Sequence, residues 1–318
     1  EYSSISPAVA DEVSANVEGV KRRYGKQYVS PELYLGTQIQ AASDQEPALG
    51  LVRGVTPSAL WVRRQVQITS GRWPDAGEVL VGRLAATKLS VSEETLAVGN
   101  NIALEGRRWR ISGIFTAGGS VLESEVWCRL DELQQALKRQ DLSLVAMTLK
   151  APSDFGDVQL TCQQNRHLEV AAIREPDYYA TLQKGYRPVR LLAWLVVTLV
   201  AAAGLFVGLN TMYAAALGRV RELSTLQTLG FVRRAIVLSL IQESVLLAAT
   251  GCLLASASAL TIFQGAAVRF TMGAFALKID NVALLIVCAT SLLLGVLGSL
   301  PPAIGLLRIP LVSGLRAI

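Results

Sequence analysis

The chain has few of the residues that metal and thiol chemistry require: one histidine, His167, and four cysteines among 318 residues. No CxxC pair occurs, so a zinc site of the Cys/His type lacks its ligands. Cys128 and Cys162 lie in a region of mixed polarity, and Cys252 and Cys288 lie inside apolar runs. That distribution is no disulfide framework, although a Cys128–Cys162 bridge stays open if their region faces an oxidising compartment. The phosphate-cradling GxxxxGK(S/T) loop, the GxSxG elbow and the HExxH pair are all missing, and His167 has no Cys or Ser partner motif. No catalytic, cofactor-binding or metal-binding residue is therefore expected, and carboxylates such as Glu93, Glu94, Glu123 and Glu125 read as a solvated face. The chain starts at Glu1 without methionine, and Tyr2-Ser3-Ser4 has no signal-peptide character, so an upstream segment is expected.

Acidic residues nearly vanish after Arg190. Of 25 acids only Glu222, Glu243 and Asp280 follow it, against 8 of the 30 bases, so the whole +5 net charge belongs to the C-terminal part. The isoelectric point of 9.1 thus marks no nucleic-acid surface, which needs bases clustered on a folded face. It reflects the bases that flank membrane spans.

Three long uncharged stretches follow Arg190, and each exceeds the 20 or so residues that cross a hydrocarbon core as a helix. The spans are placed at 191–218, 235–268 and 281–307. Small residues recur in them at helix-contact spacing: Gly204 and Gly208, then Gly251, Ala255 and Ala259, then Gly295 and Ser299. Such stripes suit close helix approach within the chain or across a dimer, and small residues are also common in membrane helices generally. Charge favours a cytosolic linker between the first two spans only slightly, with Arg219, Arg221, Arg233, Arg234, Arg308 and Arg316 against Lys184, Arg187, Arg190, Arg269 and Lys278.

Residues 1–176 read as an α+β domain, followed by a stalk over 177–190 and an all-α membrane domain over 191–318. Strands are predicted at Leu33–Ile39, Glu78–Val81, Trp109–Phe115, Leu144–Leu149 and Glu169–Ile173. Helices are predicted at Ala8–Val20, at Glu132–Arg139 behind an Asp131 cap, and at Asp157–Arg166.

The informative stretch joins the first two spans. A coupling helix is placed at about 219–230, with Val220, Leu223 and Leu226 able to share a face while Arg219, Arg221 and Glu222 stay solvated. Gly230 would close it as a C-terminal cap. Such an amphipathic knob suits a partner's groove. Glu243, about 12 Å into the second span, is expected to pair or pack near the boundary, with Arg233 or Arg234 as partner.

Arg219, Arg221, Glu222, Leu223, Leu226, Leu229 and Gly230 match the linker pattern Arg-x-Arg-Glu-(Ile/Leu)-x-x-Leu-x-x-Leu-Gly, with Asn210-Thr211-Met212 before it and Glu243 after it. On those residues the chain resembles the FtsX-like permease family, of MacB and Lol type. The ending Leu300-Pro301-Pro302-Ala303, Pro310 and Leu315-Arg316 is also similar. Gly54-Val55, Gly71-Arg72, Gly77 to Gly82, Val98-Gly99 and Ile111 to Ile114 look like the MacB-type periplasmic core domain. Gln227, Phe231 and Asn100 depart from the pattern, where the family more often has Arg, Ala and Asp.

The resemblance implies a permease subunit of an ABC-type export or mechanotransmission complex, with a further helix expected ahead of the domain. Its linker helix, with Leu229, Phe231, Arg233 and Arg234 completing the contact set, would dock in a separate ABC ATPase subunit that holds the ATP and magnesium. Further implied partners are a second permease copy in a homo- or heterodimer, a periplasmic adaptor and an outer-membrane channel. The implied location is the inner membrane, multi-pass, with the large domain outside the cytoplasm. The implied cargo is hydrophobic or amphipathic: lipoprotein, peptide or drug. The alternative is a non-transporting regulator that activates a periplasmic cell-wall hydrolase.

Overall fold

The computed structural model describes residues 3–41, 46–165, 169–184, 187–263, 266–269, 273–277 and 279–307. His167, Arg308, Pro310 and Arg316 lie outside them. The chain divides into two units, residues 1–178 with 265–278 and residues 179–264 with 279–318.

In the first unit the elements run α1 (Pro7–Asn16), β1 (Arg22–Arg23), β2 (Lys26–Gln27), β3 (Val29–Gln40), β4 (Ala48–Val55), α2 (Ala59–Val62), β5 (Gln67–Gly71), β6 (Glu78–Gly82), α3 (Ala85–Leu89), β7 (Asn101–Leu104), β8 (Arg107–Thr116), β9 (Glu125–Arg129), α4 (Leu130–Leu137), β10 (Leu144–Met147) and α5 (Phe155–Gln164). The unit also holds the first turn of α6 (Glu175–Lys184), and later in the chain β11 (Ala267–Arg269) and β12 (Ala274–Ala276). The strand path is β10-β3-β4-β9-β6-β8-β5, and β7 pairs with both β3 and β8. Six strands therefore close on themselves, which removes most of the exposed edge a sheet would otherwise present.

Period-two alternation sorts the side chains. Val79, Val81, Val126, Cys128, Trp109 and Ile111 face one core, and Leu80 and Trp127 face a second. Phe115 joins the second core although it lies an even number of residues from Ile111. The register slips by one residue at Ser112, where Val79 pairs with Ile111 and Leu80 with Gly113, and that bulge turns the rest of β8 over. A third cluster packs Val9 and Val13 of α1, and Val17 just after it, with Val158 of α5.

Several predicted elements are displaced. The helix expected at Ala8–Val20 ends at Asn16, and α4 starts at Leu130 behind Arg129, so Asp131 is not its cap. Glu169–Ile173 forms no strand; Val170 and Ala172 pack on the third cluster without a pairing partner. All four cysteines are free, and Cys128 is wholly buried, so no Cys128–Cys162 bridge exists.

Glu123 and Glu125 are not on a solvated face. Glu123 is buried and accepts bonds from the Ala117 and Gly119 backbone N–H groups at 2.6 and 2.8 Å. Glu125 belongs to a buried charge cluster. Arg53 donates twice to Glu125, at 2.6 and 2.7 Å, and once to Glu32 at 2.7 Å. Arg63 donates twice to Glu32, at 2.8 and 3.0 Å, and Trp127 Nε1 donates to Glu125 at 2.8 Å. A further bond, Arg63 to Glu175 at 3.4 Å, reaches the first residue of α6.

Burial alone would raise the Glu32 pKa, but Arg53 and Arg63 outweigh it and hold the carboxyl below its ordinary range. Glu32 therefore contributes stability that is complete above the ordinary glutamate range and is lost as pH falls below it. Glu32→Ala leaves two buried guanidiniums short of a carboxylate and should cost about 3–5 kcal/mol. Denaturant unfolding followed by tryptophan fluorescence measures this, and an unchanged midpoint would mean the cluster carries no net stability.

The second unit holds the rest of α6, then α7 (Arg187–Gly218), α8 (Val220–Thr228), α9 (Arg233–Phe263) and α10 (Asn281–Leu307). α7, α9 and α10 are each long and apolar enough to span a membrane. The second span was placed to Val268, but its helix stops at Phe263 and the chain enters β11.

Candidate functional site

α8 is a short helix whose two ends are built differently. At its start the Leu223 N–H bonds the Arg219 carbonyl, and Val220 and Ser224, one turn apart, are buried. At its end the Phe231 N–H bonds the Leu226 carbonyl and the Gly230 N–H bonds the Gln227 carbonyl. That pair of bonds is the Schellman cap, and it needs a residue of positive φ at Gly230, where φ is +96°.

The cap decides what the turn presents. Leu229 is 72% exposed, Val232 67%, Phe231 55% and Leu226 37%, so four apolar side chains stand out around one glycine turn. Leu223 is only half-buried and Val220 points inward, so the face expected to unite Val220, Leu223 and Leu226 is divided: its first member holds the helix down and its last faces out. Arg221, Glu222 and Arg234 are exposed; the Arg233 side chain lies outside the described residues.

Glu243 pairs with Arg219 and not with Arg234, and the Arg233 side chain, also expected as a partner, lies outside the described residues. Arg219 Nη1 lies 3.0 and 3.1 Å from its two carboxylate oxygens, above a notch lined by Met212, Ala215 and Leu240. Arg219 reaches Glu243 from the junction between α7 and α8, where it is the residue that precedes the first turn of α8. The Ser244 hydroxyl lies 3.6 Å from Met212 Sδ and donates to the Leu240 carbonyl, beside the same α7–α9 contact.

Small residues play two roles in this unit. Beside Gly295 a Cβ would meet Ala248 Cβ at 2.6 Å, and Ser299 is buried, so the third stripe makes the α9–α10 approach. Gly204, Gly208 and Gly251 have open space beside them and Ala255 is exposed, so those stripes face away from the rest of the unit.

Two family models match the chain: the MacB-like periplasmic core domain over residues 2–160 and the FtsX-like permease C-terminal domain over residues 194–311. Among solved structures, the extracellular domain of the noncanonic ABC-type transporter YknZ from Gram-positive bacteria is 14% identical, with a TM-score of 0.42 over 52% of this chain and 86% of that one. The periplasmic region of MacB from Actinobacillus actinomycetemcomitans is 10% identical, with a TM-score of 0.42 over 57% and 85%. A comparison with curated protein sequences finds no match.

Reversing one charge at the Arg219–Glu243 pair should lower the thermal midpoint of the solubilised chain, because two like charges then face each other. The double swap Arg219→Glu with Glu243→Arg should recover most of the loss. A double-swap loss equal to the sum of the two single losses would show that the pair does not interact.

Proposed function

The chain belongs to the FtsX-like permeases that carry a MacB-like periplasmic core domain, and we propose that it couples a separate ABC ATPase to movement of its own extracytoplasmic domain. The observation that supports this reading is the capped turn of α8. Apolar side chains exposed at the end of a helix that is held by Val220, Ser224 and the Arg219–Glu243 pair form a knob whose seat is another protein. The partner is an ATPase subunit that holds ATP and magnesium, docked against Leu226, Leu229 and Phe231, with Arg221, Arg233 and Arg234 at the rim of the contact.

The pair tying α8 to α9 gives the knob a rigid base, so a push on the turn moves the spans instead of bending the linker. The outward stripes of Gly204, Gly208, Gly251 and Ala255 suit a second permease copy packed at close range. The location that follows is the inner membrane, and the cargo class is a hydrophobic or amphipathic molecule such as a lipoprotein, a peptide or a drug. An adaptor and an outer-membrane channel complete the export reading.

The test is the apolar turn. Leu226→Ala, Leu229→Ala and Phe231→Ala together should weaken ATPase association by about thirtyfold or more, the scale of a hot-spot loss near 2 kcal/mol. The chain should stay inserted and its domain folded, as read by domain protease resistance. A triple variant that stimulates the ATPase as well as the native chain would refute the assignment. If only removal of the surrounding arginines disturbed the protein, and did so through topology, the segment would be a membrane anchor.

A further inference from the structure

A basic hairpin on the first unit is used by nothing described so far. β1 and β2 pair Arg22 with Gln27 and Arg23 with Lys26, and Tyr24 and Gly25 form the turn with φ of 50° and 74°. Two successive positive φ values fit a type I′ turn, which projects its first residue outward. Tyr24 is 88% exposed. Lys21, Arg22, Arg23 and Lys26 give this stretch four cations and no acid, within a region up to Arg190 whose acids and bases balance as a whole. Among the described residues no carboxylate pairs with Arg22, Arg23 or Lys26. The nearest acid in sequence is Glu18, whose backbone carbonyl accepts from Lys150 Nζ, so a fifth cation stands beside it.

Three of the four cations are laid on aromatic rings. Lys26 Nζ sits 5.0 Å from the centre of the Trp61 ring, Arg23 lies 5.1 Å from Tyr24, and Lys21 Nζ lies 5.4 Å from Tyr28. Tyr28 and Trp61 are 6.3 Å apart. Ring contacts restrict the long side chains while leaving their charge outward, which lowers the ordering cost of binding. Tyr, Trp and Arg are also the side chains enriched at protein-interface hot spots.

We propose that this hairpin is a docking surface for an acidic segment of a partner protein, which lies along the cations and packs against the Tyr24 ring. The surface is distinct from the α8 turn and stands or falls apart from the ATPase reading.

The experiment uses the full chain in nanodiscs of neutral lipid, with a fluorescent polyglutamate peptide as acidic probe at physiological salt. The native chain should bind the probe, and Arg22→Glu, Arg23→Glu and Lys26→Glu together should weaken binding by at least about tenfold. Tyr24→Ala keeps every charge and should still weaken it several-fold, which diffuse counter-ion attraction would not do. Unchanged binding in the charge-reversed variant, or in Tyr24→Ala, overturns the proposal. So does hairpin-dependent binding of phosphatidylglycerol vesicles in the absence of peptide binding, which would make the surface a lipid contact.

Discussion

Glu32 has no exposed surface and would be intolerable in the domain core without the two guanidiniums that reach it. Much of the first unit depends on that constraint. Glu32 lies on β3, Arg53 on β4, Glu125 at the start of β9 and Arg63 just after α2, so the cluster fixes how three strands and a short helix meet. The remaining bond from Arg63 to Glu175 ties the same charges to the helix by which the chain leaves.

The membrane unit answers a different constraint. Lipid offers no hydrogen-bond partners, so the backbone must satisfy itself wherever a helix stops. Between α7 and α9 the chain does so with a short helix and a Schellman cap, and the cap exposes apolar side chains beside Gly230. The Arg219–Glu243 pair, which joins the α7–α8 junction to α9, then sets where that turn sits relative to the spans.

How much of this was legible in the sequence depended on how far apart the deciding residues lie. The three spans were readable because length and hydropathy are local properties, and Gly230 was readable because a helix stop needs a particular residue at one position. Four strands, β3, β6, β8 and β10, were readable from alternation over a few residues. The buried cluster was not, because Glu32, Arg53, Arg63 and Glu125 come from four separate segments, and Glu125 alone looks like any surface carboxylate. The same reason hid the partner of Glu243, which lies 24 residues back at the α7–α8 junction. Glu169–Ile173 had the composition of a strand but no neighbouring edge to pair with, and Phe115 changed sides through a bulge that composition does not signal.

The central claim is that the turn of α8 seats in an ATPase on the opposite side of the membrane from the α+β domain. A photo-crosslinking amino acid at Leu229 in the full complex tests it most directly, with the same probe at the exposed Glu94 of the domain as reference. The account predicts an adduct with the ATPase from position 229 and none from position 94. An adduct from position 94, or none from position 229 while the ATPase remains bound, would contradict it.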